Sequence, residues 1–177
     1  VIPCYYKKDF PEWSDRGDGP GAPVAVHLPN SPVIQTGKRD GSKIRLPNGN
    51  YLEETASYYV LAETKTGGYT PALITMKSTQ LNVSKKWNSM MKTIQIPDGK
   101  GGFAIPPMHG VVYNLASTLQ KNDKGSWYGW VVNMDRIMGA ADKSLYLMSK
   151  DFNSNVSKGN VQTRADVEEI AKDNTPF

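Results

Sequence analysis

Lysine and aromatic side chains alternate in the second half of the chain, and these residue types carry its most evident chemistry. Lysine ammonium groups neutralise nucleic-acid phosphates, and aromatic rings stack on bases at about 1–3 kcal/mol per base with little regard for sequence. A single aromatic residue is more often part of a core, so it is the clustering that favours binding. The predicted contacts with single-stranded nucleic acid are Lys85, Lys86, Lys92, Lys121, Lys124, Trp127, Tyr128 and Trp130.

All three of these aromatic residues follow a predicted turn at residues 122–125. Side chains alternate across a strand, so Tyr128 and Trp130 share one face and Trp127 lies on the other. One of the two faces must belong to the core, and the other is free to meet a ligand. The sequence leaves open which face is which.

The charge distribution agrees with an anionic ligand. The chain has a net charge of +4 and a pI near 9.0. Residues 77–124 hold seven lysines and two aspartates, a local net of +5, whereas residues 161–177 hold two basic and four acidic residues, a local net of −2. A basic body with an acidic tail favours nucleic-acid binding. A solvated lysine-rich surface is the alternative.

Residues for catalysis are sparse. The chain holds one cysteine, Cys4, and two histidines, His27 and His109. It lacks the common hydrolase, metalloprotease and phosphate-loop motifs. The glycine-rich residues 99–102 do not have phosphate-loop spacing, and the acidic turn at residues 15–19 does not have the spacing of a calcium loop. We therefore expect no enzymatic activity, no metal and no cofactor.

Targeting signals are equally sparse. No run approaches the roughly 18–20 apolar residues of a membrane helix, and no basic-then-apolar pattern opens the sequence. A single cysteine excludes an intramolecular disulfide framework. These observations predict a cytoplasmic protein with no membrane partner.

The elements that must position the lysines and aromatic residues follow from periodicity. Residues 51–64 contain a strand that pairs with a second strand at residues 69–77. An apolar stripe predicts a helix over residues 78–94, with Ser78 or Thr79 as its N-cap. Residues 111–119 and 127–134 alternate as two strands of a second hairpin.

The flanking segments are less regular. Residues 1–50 hold more than half of the twelve prolines, which predicts turns with one or two edge strands. Residues 48–49, Asn-Gly, form a turn signal. Residues 136–152 suit a helix or a strand. Residues 153–160 are predicted to be a polar linker, and residues 163–172 a short acidic helix.

The order hairpin, helix, hairpin predicts a β-rich α+β fold that resembles the OB-fold, a five-stranded antiparallel barrel. Other α+β barrels or sheets have the same order of elements. We assign residues 1–152 to one OB-like domain with a Pro/Gly-rich N-terminal arm, and residues 153–177 to a linker with an acidic C-terminal tail.

The last five residues, D-N-T-P-F, follow further acidic residues. This ending resembles the C-terminal tip of bacterial and bacteriophage single-stranded-DNA-binding proteins. The resemblance implies that Asp173, Pro176 and Phe177 dock on replication or recombination proteins, and that the tail competes with DNA for the basic groove. The central region, from residue 73 to residue 132, also resembles a bacteriophage family described as single-stranded-DNA-binding.

The sequence thus predicts a phage-type protein in the host cytoplasm that binds single-stranded DNA without sequence specificity during replication or recombination. Homo-oligomerisation and a preference for DNA over RNA stay open. The alternative is a phage virion or assembly protein whose N-terminal arm wraps a neighbouring subunit.

Overall fold

A computed structural model describes residues 1–15, 22–123 and 125–161. Antiparallel strands dominate these residues, and helices pack on them. The strands are β1 (Ile2–Trp13), β2 (Ala25–His27), β3 (Lys38–Asp40), β4 (Lys43–Arg45), β5 (Tyr51–Glu53), β6 (Thr55–Glu63), β7 (Tyr69–Lys77), β8 (Ile96–Pro97), β9 (Phe103–Ala104), β10 (Val111–Asn122) and β11 (Gly125–Ile137). The α-helices are α1 (Pro32–Thr36), α2 (Leu81–Thr93) and α3 (Lys143–Ser157).

Strand β1 is the centre of the main sheet, whose order is β3-β4-β5-β1-β6-β7. Residues 2–9 pair with β6, and residues 10–13 pair with β2 and β5. The prediction of turns and edge strands in residues 1–50 is therefore wrong for β1. Proline normally interrupts a central strand, but Pro3 lies where the pairing register shifts, so its missing N–H interrupts no regular ladder.

The first predicted hairpin is confirmed as β6 and β7. Its turn closes through the Thr64 N–H, which donates to the Gly68 carbonyl at 2.7 Å. Gly67 has a φ of +84°, a conformation that glycine adopts without steric cost. Six of the nine residues of β6 are buried because helices cover both faces of the sheet.

Helix α2 covers one face of β6 and β7, as its apolar stripe predicts. Trp87 is completely buried and stacks on Tyr58 with ring centroids 4.3 Å apart. The predicted caps are wrong: the N-cap is Gln80, and its side chain makes no capping bond. Ser78 and Thr79 instead form a short 3₁₀ turn with Gln80, in which Ser78 has a φ of +51°.

Helix α3 covers the opposite face. The segment 136–152, which suited a helix or a strand, ends β11 at Ile137 and is helical from Lys143 onward. The predicted polar linker is wrong up to Ser157, because α3 continues to that residue. The Asn153 side chain donates a hydrogen bond to the Cys4 carbonyl, and Val156 is buried. The last two turns of α3 thus help to cover β1, although the polar composition of this segment indicates a linker.

A small cluster of buried hydrophobic residues lies among β1, β4 and β5, separate from the clusters that α2 and α3 cover. It is built on Phe10, Ile44, Leu46 and Leu52. The predicted turn at residues 48–49 is confirmed, with Gly49 at a φ of +88°. Its core residues come from segments between residues 10 and 52, and none of them belongs to α2 or α3.

The second predicted hairpin is confirmed as a long ribbon of β10 and β11. Its base adjoins β1 through reciprocal bonds: Val1 N donates to Tyr113 O at 2.7 Å, and Tyr113 N donates to Val1 O at 2.8 Å. In the part of the chain that is described, no strand ladder joins β11 to β7. The sheets are antiparallel as predicted, but they form no closed barrel, so the OB-fold is not confirmed.

The predicted acidic helix at residues 163–172 and the tail residues Asp173, Pro176 and Phe177 lie outside the described residues. Within residues 1–15, 22–123 and 125–161, no helix combines the length and the apolar character needed to cross a bilayer.

Candidate nucleic-acid interface

The ribbon changes from core to surface along its length. At its base, Val111 and Tyr113 are almost completely buried. Leu115, Trp130 and Val132 pack against the same core from the middle of the ribbon. Beyond them the core ends, and the next paired residues stand in solvent: Leu119 is 63% exposed and Tyr128 is 73% exposed. One apolar face therefore continues past the core to the tip.

The aromatic residues of the ribbon divide differently from the sequence prediction. Tyr128 and Trp130 share one face, yet Trp130 packs on the core while Tyr128 does not. The backbone N–H of Trp130 donates to the side-chain oxygen of Gln80 at 2.9 Å, and this bond joins the edge of the ribbon to the start of α2. Exposure thus depends on distance from the core and not on the choice of face. Tyr128 has the more accessible ring for stacking.

Trp127 lies on the opposite face of the ribbon and is half-buried. It forms one wall of an open cleft of about 300 Å³ between the ribbon tip and the turn before α2. The other lining residues are Ser78, Thr79, Asn122, Gly125 and Ser126. The indole N–H of Trp127 is buried without an acceptor among the described residues. The cleft joins segments that are far apart in the sequence.

Gly129 explains how the turn before α2 approaches the ribbon. The backbone of Gly129 is buried, and a Cβ atom there would collide with the side-chain amides of Gln80 and Gln120. Any larger residue would displace Gln80 from the ribbon edge. A side chain at position 129 would therefore require the amide ends of Gln80 and Gln120 to shift.

The predicted lysines occupy two places. Lys85, Lys86 and Lys92 are exposed on α2, and Lys121 is exposed on β10. Lys85 and Lys92 are seven residues apart, so they lie about 10 Å apart along the helix axis. Lys86 is near the end of α2 that approaches the ribbon, whereas Lys92 is at the far end. Lys124 lies outside the described residues.

These four lysines differ from other cations of the fold. Lys8 pairs with Glu54 at 2.7 Å, and Lys77 pairs with Glu53 at 3.0 Å. None of Lys85, Lys86, Lys92 and Lys121 forms an ion pair with another described residue. Their charge is therefore available to an anionic ligand.

Two basic and aromatic surfaces were missed by the sequence reasoning. Lys43 on β4 lies over the Tyr51 ring, 3.6 Å from its centroid. Lys100 lies in the turn between β8 and β9, and Phe103 beside it is 71% exposed. The same alternation of lysine and aromatic residues that singled out the ribbon could have found both.

Part of the β4 surface is already neutralised. Arg45 pairs with Asp15 at 2.6 Å and with Asp40 at 3.2 Å. The hydrogen bond from Arg45 holds the pKa of Asp15 below its usual value. Arg45 is therefore a weaker candidate for phosphate contact than the unpaired lysines of α2.

Burial shifts the pKa values of Cys4 and His109. Burial raises the pKa of the Cys4 thiol to about 12, so the thiol is protonated at neutral pH. Its Sγ donates to the Ile2 carbonyl at 3.4 Å. Burial also lowers the pKa of His109. No group of three or more metal-binding side chains occurs within the parts of the chain that are described.

A buried polar network holds the second histidine. His27 Nε2 lies 2.7 Å from one carboxylate oxygen of Glu12, and the side chains of Asn48 and Asn50 donate to the other. The Asn50 hydrogen bond is the main reason that the pKa of Glu12 is lowered. With every carboxylate oxygen bonded, the network joins β2 to β1 and to the turn before β5, which is a structural role.

The chain was compared with models of known protein families, with curated proteins and with solved structures. The model described as Pam3 phage gp34-like protein matches residues 1–162. No curated protein and no solved structure matches the chain significantly.

Proposed function

The chain belongs to the Pam3 phage gp34-like protein family, and we propose that it acts as a non-enzymatic, phage-encoded single-stranded-DNA-binding protein. Binding is independent of sequence, and it covers exposed strands during replication or recombination. The ribbon tip supplies the stacking surface, and the unpaired lysines supply the phosphate contacts.

The observation that carries this proposal is the exposed Tyr128 ring. It stands in solvent beyond the end of the core, on the same ribbon as Lys121. A large apolar ring on a projecting hairpin contributes little to folding there, because nothing in the described fold packs over it. An aromatic face beside a cation is the combination that holds single strands.

The order of the elements also supports the proposal. Strands β1, β6 and β7 lie side by side and antiparallel, although β2 to β5 and α1 come between β1 and β6 in the sequence. Helix α2 follows β7, and β10 and β11 form a hairpin whose base adjoins β1. In an OB-fold, antiparallel strands likewise flank a helix, and oligonucleotides bind a sheet face and the loop between the last two strands. By analogy with that loop, we place the proposed stacking surface at the ribbon tip.

The test is a salt titration of binding. The wild-type chain should bind a fluorescent oligo-dT more tightly than a duplex of equal length. The logarithm of its affinity should fall with the logarithm of salt concentration by about 0.7 for each phosphate neutralised. Absence of binding to oligo-dT at low salt, or equal binding to duplex, would contradict the proposal.

A second candidate function is a virion or assembly protein, and one observation favours it. Val24, Val26 and Leu28 alternate along the β2 segment, so they share a face, and all three are exposed. An exposed apolar row on an edge strand is a common docking surface between proteins. Mass spectrometry of purified particles of the encoding phage separates the candidates: a structural protein is present in many copies, and a replication protein is absent.

A further inference from the structure

The cleft beside Trp127 differs chemically from the exposed Tyr128 ring. Tyr128 offers an open surface, whereas Trp127 forms the wall of a recess. The volume of about 300 Å³ lies at the lower end of the range for small-ligand sites. Hydroxyl and amide residues line the rest: Ser78, Thr79, Asn122 and Ser126.

We propose that this cleft is a subsite that receives one nucleobase of a bound single strand. This proposal rests on the proposed function and adds to it a second contact, in an open cleft on the other face of the ribbon. The strand passes over the ribbon tip, so that one base stacks on Tyr128 and a neighbouring base enters the cleft against Trp127. None of the cleft residues except Trp127 was a predicted site residue.

The chemistry of the lining suits a base better than a phosphate. An indole wall offers a stacking surface, and every base has a flat π-face. Hydroxyl and amide groups both donate and accept hydrogen bonds, as the edges of bases do. No lysine or arginine lines the cleft within the described residues, whereas a site for a lone phosphate would require a cation or several converging N–H groups.

The position of the cleft suits a strand rather than a buried small molecule. It opens at the junction of the ribbon tip with the turn before α2, and α2 then carries the unpaired Lys85 and Lys86. A strand that leaves the cleft can therefore meet phosphate-binding charge.

The test fills the cleft and changes the ligand. Thr79→Tyr adds a ring to an exposed position at the cleft, so it does not disturb the core. Ser144→Tyr adds the same ring to an exposed position on α3, on the opposite face of the sheet, and is the matched control. Each variant is titrated with a dT 20-mer and with an abasic deoxyribose-phosphate 20-mer of equal length and charge, after circular dichroism has shown that it is folded.

The expected result is specific to the bases. Thr79→Tyr should weaken binding of the dT 20-mer about fivefold or more, the equivalent of one lost stacking contact, and should leave the abasic oligomer unchanged. Ser144→Tyr should change neither affinity. Equal dT affinity in the wild type and Thr79→Tyr, or an equal loss for both oligomers, would overturn the subsite.

Two further outcomes separate the subsite from the function on which it rests. If Tyr128→Ala weakens dT binding while Thr79→Tyr does not, single-strand binding stands and the subsite alone is overturned. If the wild-type chain does not bind the dT 20-mer, both proposals fall.

Displacement of the oligomer by dTMP at a comparable concentration of nucleotide would assign the cleft to free nucleotides and overturn its assignment to a strand.

Discussion

The base and the tip of the β10–β11 ribbon have the same local structure and different surroundings. At the base, Tyr113 is completely buried and its ring contacts Trp87 edge-on, with centroids 5.6 Å apart. At the tip, Tyr128 projects into solvent opposite Leu119. Two-stranded ribbons are marginally stable alone, so the tip depends on the base for its order. The comparison separates residues that hold the fold from residues that are available to a ligand.

Alanine substitutions should separate base from tip most clearly. Tyr113→Ala should lower the free energy of unfolding by about 3–5 kcal/mol, the range for removing a large buried aromatic ring. Leu119→Ala should change it by no more than about 0.5 kcal/mol, because the side chain is mostly exposed. Urea denaturation measures both. Similar losses at the two positions would mean that the tip is also packed.

Tyr113→Phe is a control for the first prediction. The Tyr113 hydroxyl is buried without a hydrogen-bond partner among the described residues. Its removal leaves the ring in place and relieves an unsatisfied polar group, so stability should stay equal or rise. A loss comparable to that of Tyr113→Ala would show that the hydroxyl, and not the ring, holds the base.

Tyr128→Ala should affect binding and not stability. The lost stacking contact of about 1–3 kcal/mol corresponds to a fall in affinity for oligo-dT of roughly 5- to 150-fold. The midpoint of urea denaturation should stay unchanged. Tyr128→Phe retains the ring and should bind like the wild type. Unchanged affinity in Tyr128→Ala would remove the tip from the interface.

Alkaline pH should destabilise the buried parts of the fold. Burial raises the pKa of Cys4 to about 12 and that of Tyr113 to about 12. The folded chain therefore holds these protons more tightly than the unfolded chain does. This contribution is complete below the unfolded thiol pKa of 9.0 and is lost as pH rises towards 12. Between its unfolded and folded pKa values, each group lowers the free energy of unfolding by about 1.4 kcal/mol for every pH unit.

The measurement is the urea midpoint at pH 8 and at pH 10.5. The wild type should have a lower midpoint at pH 10.5, and Cys4→Ala should show a smaller fall between the two values. An identical fall in the variant would mean that the thiol does not contribute to the pH dependence.

The lysines of α2 should produce the smallest effect at physiological salt. Lys85→Ala combined with Lys86→Ala removes two unpaired charges, so the log–log salt slope of oligo-dT binding should flatten by about 1.4. The matched control combines Lys143→Ala with Lys150→Ala, which removes the same charge from exposed positions on α3. If both pairs flatten the slope equally, net charge rather than a defined phosphate path controls binding.

Much of the local structure could be predicted from the sequence. The stripe of Trp87 and Met91 predicts α2 because helical periodicity needs only neighbours along the chain. The β6–β7 hairpin and the β10–β11 hairpin follow from alternation and from their turn residues in the same way. Strand β1 could not be predicted, since its prolines argue against a central strand and only the pairing with β6 shows how Pro3 is accommodated. The helical state of residues 153–157 could not be predicted either, because their polar composition indicates a linker and only the packing of α3 against β1 shows the helix.

For the candidate site, too, the sequence predicts local features and the tertiary structure decides which residues are exposed. The sequence by itself determined which residue types are present, that Trp127 and Tyr128 lie on opposite faces of a strand, and that Lys85 and Lys86 lie on a helix. Only the tertiary structure decided that Trp130 packs on the core while Tyr128 does not, and that Ser78 and Thr79 form a cleft with Trp127. The physical reason is that alternation orients a side chain through its own backbone, whereas burial depends on which distant segment packs against it and on where that packing ends.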